Sequence, residues 1–206
     1  KKSGASSITI HLREDRRHIT DKDLFKISRL KNIRVNLEMA PTNKMLKIAL
    51  KSKPNFVCIV PEKREELTTE GGLNLNKDNL RIKRIIYNLK QKGIRTSLFI
   101  EPKIHSIRKA KKLGADCVEL HTGKLCNLYN LNKKFYIEFV KIKKVAQYAN
   151  IIGLEVHAGH GLTYQTVKII KKIKNIKELN IGHFIISEAI FVGLKQAILN
   201  FKNILK

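Results

Sequence analysis

The sequence predicts an α/β fold, a TIM (β/α)8 barrel with extra helices, and three observations predict it. Short β-branched runs alternate with helical patterns from end to end, an order that implies parallel strands joined by right-handed crossovers. The 206 residues suit one barrel of roughly 200 to 250 residues, so 1–206 is read as a single barrel domain. Ionisable side chains gather at the C-terminal ends of the strands, where barrel enzymes hold their chemistry.

The first strand is "SITIHL". Ahead of it, "KKSGAS" reads as the last turn of a helix and a glycine stop. The second and third strands are "RVNLEMA" and "NFVCIVPE". A helix follows, with Leu80, Ile82, Ile85, Ile86 and Leu89 at helical spacing and a stop at Gly93. "RTSLFIEP" is the fourth strand, and "KKLGAD" ends a helix just before the fifth, "CVELHTG". The longest insertion, Asn127 to Asn150, carries one long helix rich in lysine and aromatic residues, with excess apolar surface suited to subunit contact. "GLEVHAGHG" and "ELNIGHFII" complete seven strands, whereas a closed barrel needs eight. The expectation is that the first βα unit is missing from this chain and precedes Lys1, so that "SITIHL" is the second barrel strand.

Composition narrows the partners. A net charge of +25, from 42 basic and 17 acidic residues, suits nucleic acid or small anions. The lysines are spread along exposed helical positions with few aromatic residues between them to stack on bases, which favours small phosphorylated substrates over nucleic acid. Cys58, Cys117 and Cys126 form no CxxC pair and read as reduced thiols of a cytoplasmic protein. No stretch reaches the roughly 18 apolar residues of a membrane span, so no membrane partner is expected.

The strand exits carry His11, Glu38, Glu62, Glu101, Glu119 with His121, His157 with His160, and His183, while bulky apolar residues are expected along the rest of each strand. Imidazoles titrate near neutrality, and confined carboxyls can be raised toward it, so such a ring favours successive proton transfers. No serine or cysteine sits on an activating elbow, which leaves nucleophilic hydrolysis unsupported. A metal held by the two histidines of "HAGH" and Glu119 is the rival reading, disfavoured because neighbouring strand residues face opposite ways. Two anion grips are visible. "TTEGGLN" is a glycine-rich loop, and "HGLTYQT" and "GHFIISEA" follow the last two strands, where helix N-termini present unpaired amides.

"HLREDRRHI", "NLEMA", "VPEKREELTTEGGL", "SLFI", "ELHTG", "AGHGLTY", and "ELNIGH" followed by "FVGL" resemble, in order and spacing, the pyridoxine 5′-phosphate synthases of the PdxJ type, from the first strand nearly to Lys206. The resemblance implies a barrel with extra helices, a homo-octamer and no cofactor or metal. It also implies condensation of 3-amino-2-oxopropyl phosphate with 1-deoxy-D-xylulose 5-phosphate, forming the pyridine ring of vitamin B6 and releasing phosphate and water. By similarity, His11 and Glu38 are proton acceptors, His160 the proton donor, and Glu119 stabilises the charged transition state. Arg13, His18 and Thr68 would hold the deoxyxylulose phosphate, and Gly161, Gly182 and His183 the aminoketone phosphate. His157 stands where the family usually has asparagine and is read as filling space, and Glu188 is read as a carboxylate at a helix N-terminus. Three other readings stay open: a metal-dependent sugar-phosphate isomerase or aldolase, a basic nucleic-acid-binding protein, and an inactive truncated relative.

Overall fold

Strand and helix alternate from Ser7 to Leu205 in a computed structural model that describes residues 2–62, 71–76 and 79–206. The first half runs β1 (Ser7–His11), α1 (Asp21–Ser28), β2 (Arg34–Met39), α2 (Asn43–Ser52), β3 (Phe56–Ile59), α3 (Asn79–Lys90), β4 (Arg95–Ile100) and α4 (Ile104–Leu113). The second half runs β5 (Cys117–His121), α5 (Gly123–Asn130), α6 (Tyr136–Ile151), β6 (Glu155–Gly159), α7 (Tyr164–Ile170), β7 (Ile176–Asn180), α8 (His183–Val192) and α9 (Leu194–Leu205). The seven strands form one parallel sheet in sequence order, β1 to β7. The sheet curls until its two edges meet through side chains. Ser7 Oγ donates to Glu178 Oε1 at 3.5 Å and Thr9 Oγ1 to Asn180 Oδ1 at 3.0 Å.

Period-2 alternation sorts each strand into two faces. Val35, Leu37, Met39, Val57, Ile59, Leu98, Ile100, Val118, Leu120, Val156 and Ala158 are buried, and most join the helix residues Met45, Ile82, Ile85, Ile86, Leu89, Ile107, Ile142 and Val145 in one core. The residues between them face inward, and here the expectation of bulky apolar residues is corrected. Thr9, Asn36, Cys58, Ser97, Glu119 and His157 occupy inward positions, linked by bonds such as Asn36 Nδ2 to Thr9 Oγ1 at 3.4 Å. The main hydrophobic core therefore lies between sheet and helices, and the inside of the curl is lined largely by polar groups beside a small cluster of Cys58, Val60 and Phe99.

Other expectations shift in detail. The long helix expected within Asn127 to Asn150 is α6, and the insertion also holds the end of α5, the chain turning between them around Asn132, whose φ is +52°. Leu80 starts α3 but is exposed, so its apolar stripe begins at Ile82. "HFII" opens α8 rather than extending β7. Glu188 sits in the second half of α8, away from its N-terminus. Lys2 and Ser3 form a turn that ends at left-handed Gly4. Among the described residues, no single helix is long and apolar enough to cross a membrane.

Candidate active site

β1 and β2 are in register with His11 opposite Glu38, which places an imidazole and a carboxyl side by side at the strand exits. His11 Nδ1 lies 3.7 Å from Glu38 Oε2, and Nε2 lies 3.6 Å from Glu62 Oε2. Burial, then the positive charges of Arg13 and His18, hold His11 well below its ordinary range, at about 4. Its imidazole is therefore neutral near pH 7 and able to accept a proton. Burial pushes the Glu38 carboxyl up, toward the range in which it can take and return protons.

Glu119, from the middle of β5, is 3% exposed. Burial raises its pKa, and the nearby Glu38 charge raises it further. Asn180 of β7 donates Nδ2 to Glu119 Oε2 at 2.7 Å, while Thr9 Oγ1 fixes the other end of that amide. Cys58 Sγ lies 3.6 Å from the same carboxylate oxygen. Gly159 of β6 leaves room for the group, since a Cβ there would stand 2.1 Å from Glu119 Oε1. Thr9, Asn180 and Gly159 are the residues that sequence reasoning missed. The signal available was their place at the same inward positions as the acids they serve.

A second cluster faces this one. His121 Nδ1 donates to Glu101 Oε1 at 2.8 Å, a bond that keeps the Glu101 carboxyl below its ordinary range. His121 meets the His160 ring edge to face at 4.7 Å. His160 lies on the turn after β6 with φ +78°, a strained value for a side chain with Cβ, and Thr122 Oγ1 donates to the carbonyls of Gly159 and His160 at 2.7 Å each. Gly123 admits the histidine pair, because a Cβ there would meet both rings within 2.7 Å.

The charged strand exit after His11 braces itself. Arg16 makes paired bonds to Asp21 at 2.6 and 3.2 Å, Arg17 pairs with Asp15 at 2.8 and 2.5 Å, and the Glu14 amide donates to Glu62 Oε1 at 2.8 Å. Arg13 is buried, with Nε 3.6 Å from Asp15 Oδ1, and His18 is exposed. Thr68 lies outside the described residues. The Gly72 amide donates to Glu101 Oε1, which brings the described end of the glycine loop to the second cluster. Gly161 adopts φ +77° beside Cys126. Gly182 and His183 form the exposed start of α8, across a stretch in which nothing would obstruct a Cβ at Gly182.

One expectation is corrected. His157 does not reach the strand exits: its Nε2 bonds Glu155 Oε1 at 2.8 Å, toward the opposite end of the barrel. The two histidines of "HAGH" consequently part, one to Glu155 and one to His121, and do not converge with Glu119 on a common ion.

Known proteins match both the sequence and the fold. A family model described as "Pyridoxal phosphate biosynthesis protein PdxJ" matches residues 1–206. The pyridoxine 5′-phosphate synthase of Pelagibacter ubique (strain HTCC1062) is 56% identical over 203 residues, covering 98% of this chain and 85% of its own. That of Sulfurihydrogenibium sp. (strain YO3AOP1) is 52% identical over 206 residues, covering 98% and 84%. Among solved structures, 3-hexulose-6-phosphate synthase from Salmonella typhimurium superposes with a TM-score of 0.67 at 14% identity, over 96% of this chain and 85% of its own, a likeness of fold alone.

Proposed function

The chain belongs to the family of the pyridoxal phosphate biosynthesis protein PdxJ, and from that premise we propose how its strand-end ring carries out the ring-forming condensation of vitamin B6 biosynthesis. The substrates are two phosphorylated small molecules, 3-amino-2-oxopropyl phosphate and 1-deoxy-D-xylulose 5-phosphate. Amine and ketone join as an imine with loss of water, a proton leaves carbon, phosphate departs, and closure of the ring releases further water.

Neutral His11 and the raised Glu38 accept the protons that leave carbon, and their 3.7 Å separation lets one site serve successive steps. His160, opposite them, returns a proton to the departing oxygen. Glu119 prefers its neutral form, so it passes its proton to the adjacent imine nitrogen, and the carboxylate left behind stabilises the iminium charge. Arg13, His18 and Thr68 grip the deoxyxylulose phosphate. Gly161, Gly182 and His183 grip the aminoketone phosphate, the last two where α8 begins with unpaired amides.

The single observation that carries this reading is the convergence of His11 and Glu38 at the strand exits with buried Glu119 in the polar interior below them. We also propose that copies of the chain assemble, as an octamer, through apolar helix faces such as Ile186, Ile190 and Phe191 of α8, which are exposed here. The cytoplasm is the proposed compartment, consistent with three unpaired thiols. The test is turnover of His11→Ala and Glu38→Gln on the two phosphates, measured beside thermal unfolding. Both variants are expected to fold and to lose turnover, and near-normal turnover in either removes that residue from the mechanism.

A further inference from the structure

The synthase reading leaves a buried cluster at the other end of the strands unused. Cys117 begins β5 and Glu155 begins β6, paired in register, and His157 follows on the same inward face. Cys117 is four residues from His121, about 13 Å along the strand at roughly 3.3 Å per residue. Donor atoms of Cys117, Glu155 and His157 all lie within 4.8 Å of one another. His157 Nε2 is 2.8 Å from Glu155 Oε1, and Cys117 Sγ is 3.9 Å from it. Cys117 is 1% and His157 5% exposed, while the Glu155 side chain is 36% exposed and marks the way in.

We propose that Cys117, Glu155 and His157 form a binding site for one thiophilic divalent cation of the zinc class, at the end of the barrel opposite the reaction. Sulfur, imidazole and carboxylate are the donor types zinc takes, at roughly 2.0 to 2.3 Å, which sets tetrahedral donors roughly 3.3 to 3.7 Å apart. The donors present need shifts of about an ångström to meet that spacing.

Arg95 shows that this position favours positive charge. Its Nη2 lies 3.2 Å from Cys117 Sγ and 3.1 Å from Glu155 Oε2. Asp116 and Glu178 add further negative charge around the thiol. The exchange balances: the cation enters, the thiol proton leaves to solvent, and the guanidinium, on a side chain already 44% exposed, swings outward. Before exchange, one guanidinium offsets one carboxylate beside a neutral thiol. Afterwards, one dication offsets a thiolate and a carboxylate, so the buried donors are neutral in both states.

The experiment titrates the whole protein with Co2+, a spectroscopic stand-in for zinc, and reads the thiolate-to-cobalt charge-transfer band without substrate. One equivalent should saturate the band, and Zn2+ should bleach it. Cys117→Ser should abolish it, His157→Asn should weaken binding at least about tenfold, and Arg95→Gln should tighten it. Turnover of the His157→Asn variant should match the parent, since no catalytic group is touched. A band that survives in Cys117→Ser, an unchanged affinity in His157→Asn, or no band in Arg95→Gln each overturns the proposal. Because the readout uses no substrate, either outcome leaves the synthase reading standing.

Discussion

Replacing Gly159 by alanine adds one methyl group at the most crowded point of the site. The new Cβ would stand 2.1 Å from Glu119 Oε1 and 3.2 Å from both Cβ and the carbonyl oxygen of Asn180. A carbon–oxygen contact relaxes at roughly 3.3 Å, so the carboxylate must retreat by about 1.2 Å. Glu119 has little room for this, because it is buried and held at 2.7 Å by Asn180. A retreat of that size displaces the carboxylate from the geometry in which Oε2 accepts from Asn180 at 2.7 Å. Gly159 is not among the residues with positive φ, so alanine fits the backbone and the effect is steric. Displacement of a catalytic group by about an ångström costs on the order of 100-fold in kcat, and overpacking costs about 1–3 kcal/mol of stability. Steady-state turnover and denaturant unfolding at constant slope measure the two losses. The same change in a Glu119→Ala background, where the collision partner is gone, should cost little stability. Turnover within about threefold of the parent, or an equal stability loss in both backgrounds, refutes the placement of Glu119.

Other perturbations follow from the same geometry. Asn180→Leu removes the donor to Glu119, worth about 1.5–3 kcal/mol for a charged acceptor, so kcat should fall about ten- to hundredfold. Since that donor favours the ionised carboxylate, its loss should also move the alkaline limb of the kcat profile to higher pH. His11 is held at about 4 in the folded chain against 6.5 unfolded, so its contribution is present above 6.5 and lost as pH falls through 4. Comparing unfolding at pH 7.5 and 4.5, the parent should lose about 2 kcal/mol more than His11→Asn. Arg13→Met and Thr68→Val should weaken the deoxyxylulose phosphate by tenfold or more, at about 1.4 kcal/mol, and spare the aminoketone phosphate; titration of each substrate alone shows the asymmetry.

The order of strands was legible because β-branched runs and glycine stops report local geometry, as at Gly93 and Gly114, both left-handed at helix ends. His11 and Glu38 were legible as a pair of strand-exit residues, and parallel register did the rest. What stayed hidden depends on which way a side chain faces and on what stands across the barrel. His157 reads like one more exit histidine, yet two residues of strand spacing return it to Glu155. The dependence of Glu119 on Asn180 spans 61 residues of sequence. The turn at Asn132 between α5 and α6 carries no proline or glycine, so no local signal marked the end of α5.

Sequence-ordered strand pairing also governs how the molecule comes into being. Each strand docks beside the one made just before it, so a chain leaving the ribosome can grow its sheet one edge at a time, without waiting for distant segments. The His11–Glu38 pair forms with the first two strands. Glu119 waits for Asn180, which arrives with β7, five strands after β2. Until then the β6 edge is bare and the buried acid lacks its donor. A chain that has not yet docked β7 therefore holds the His11–Glu38 pair without the Asn180 donor to Glu119.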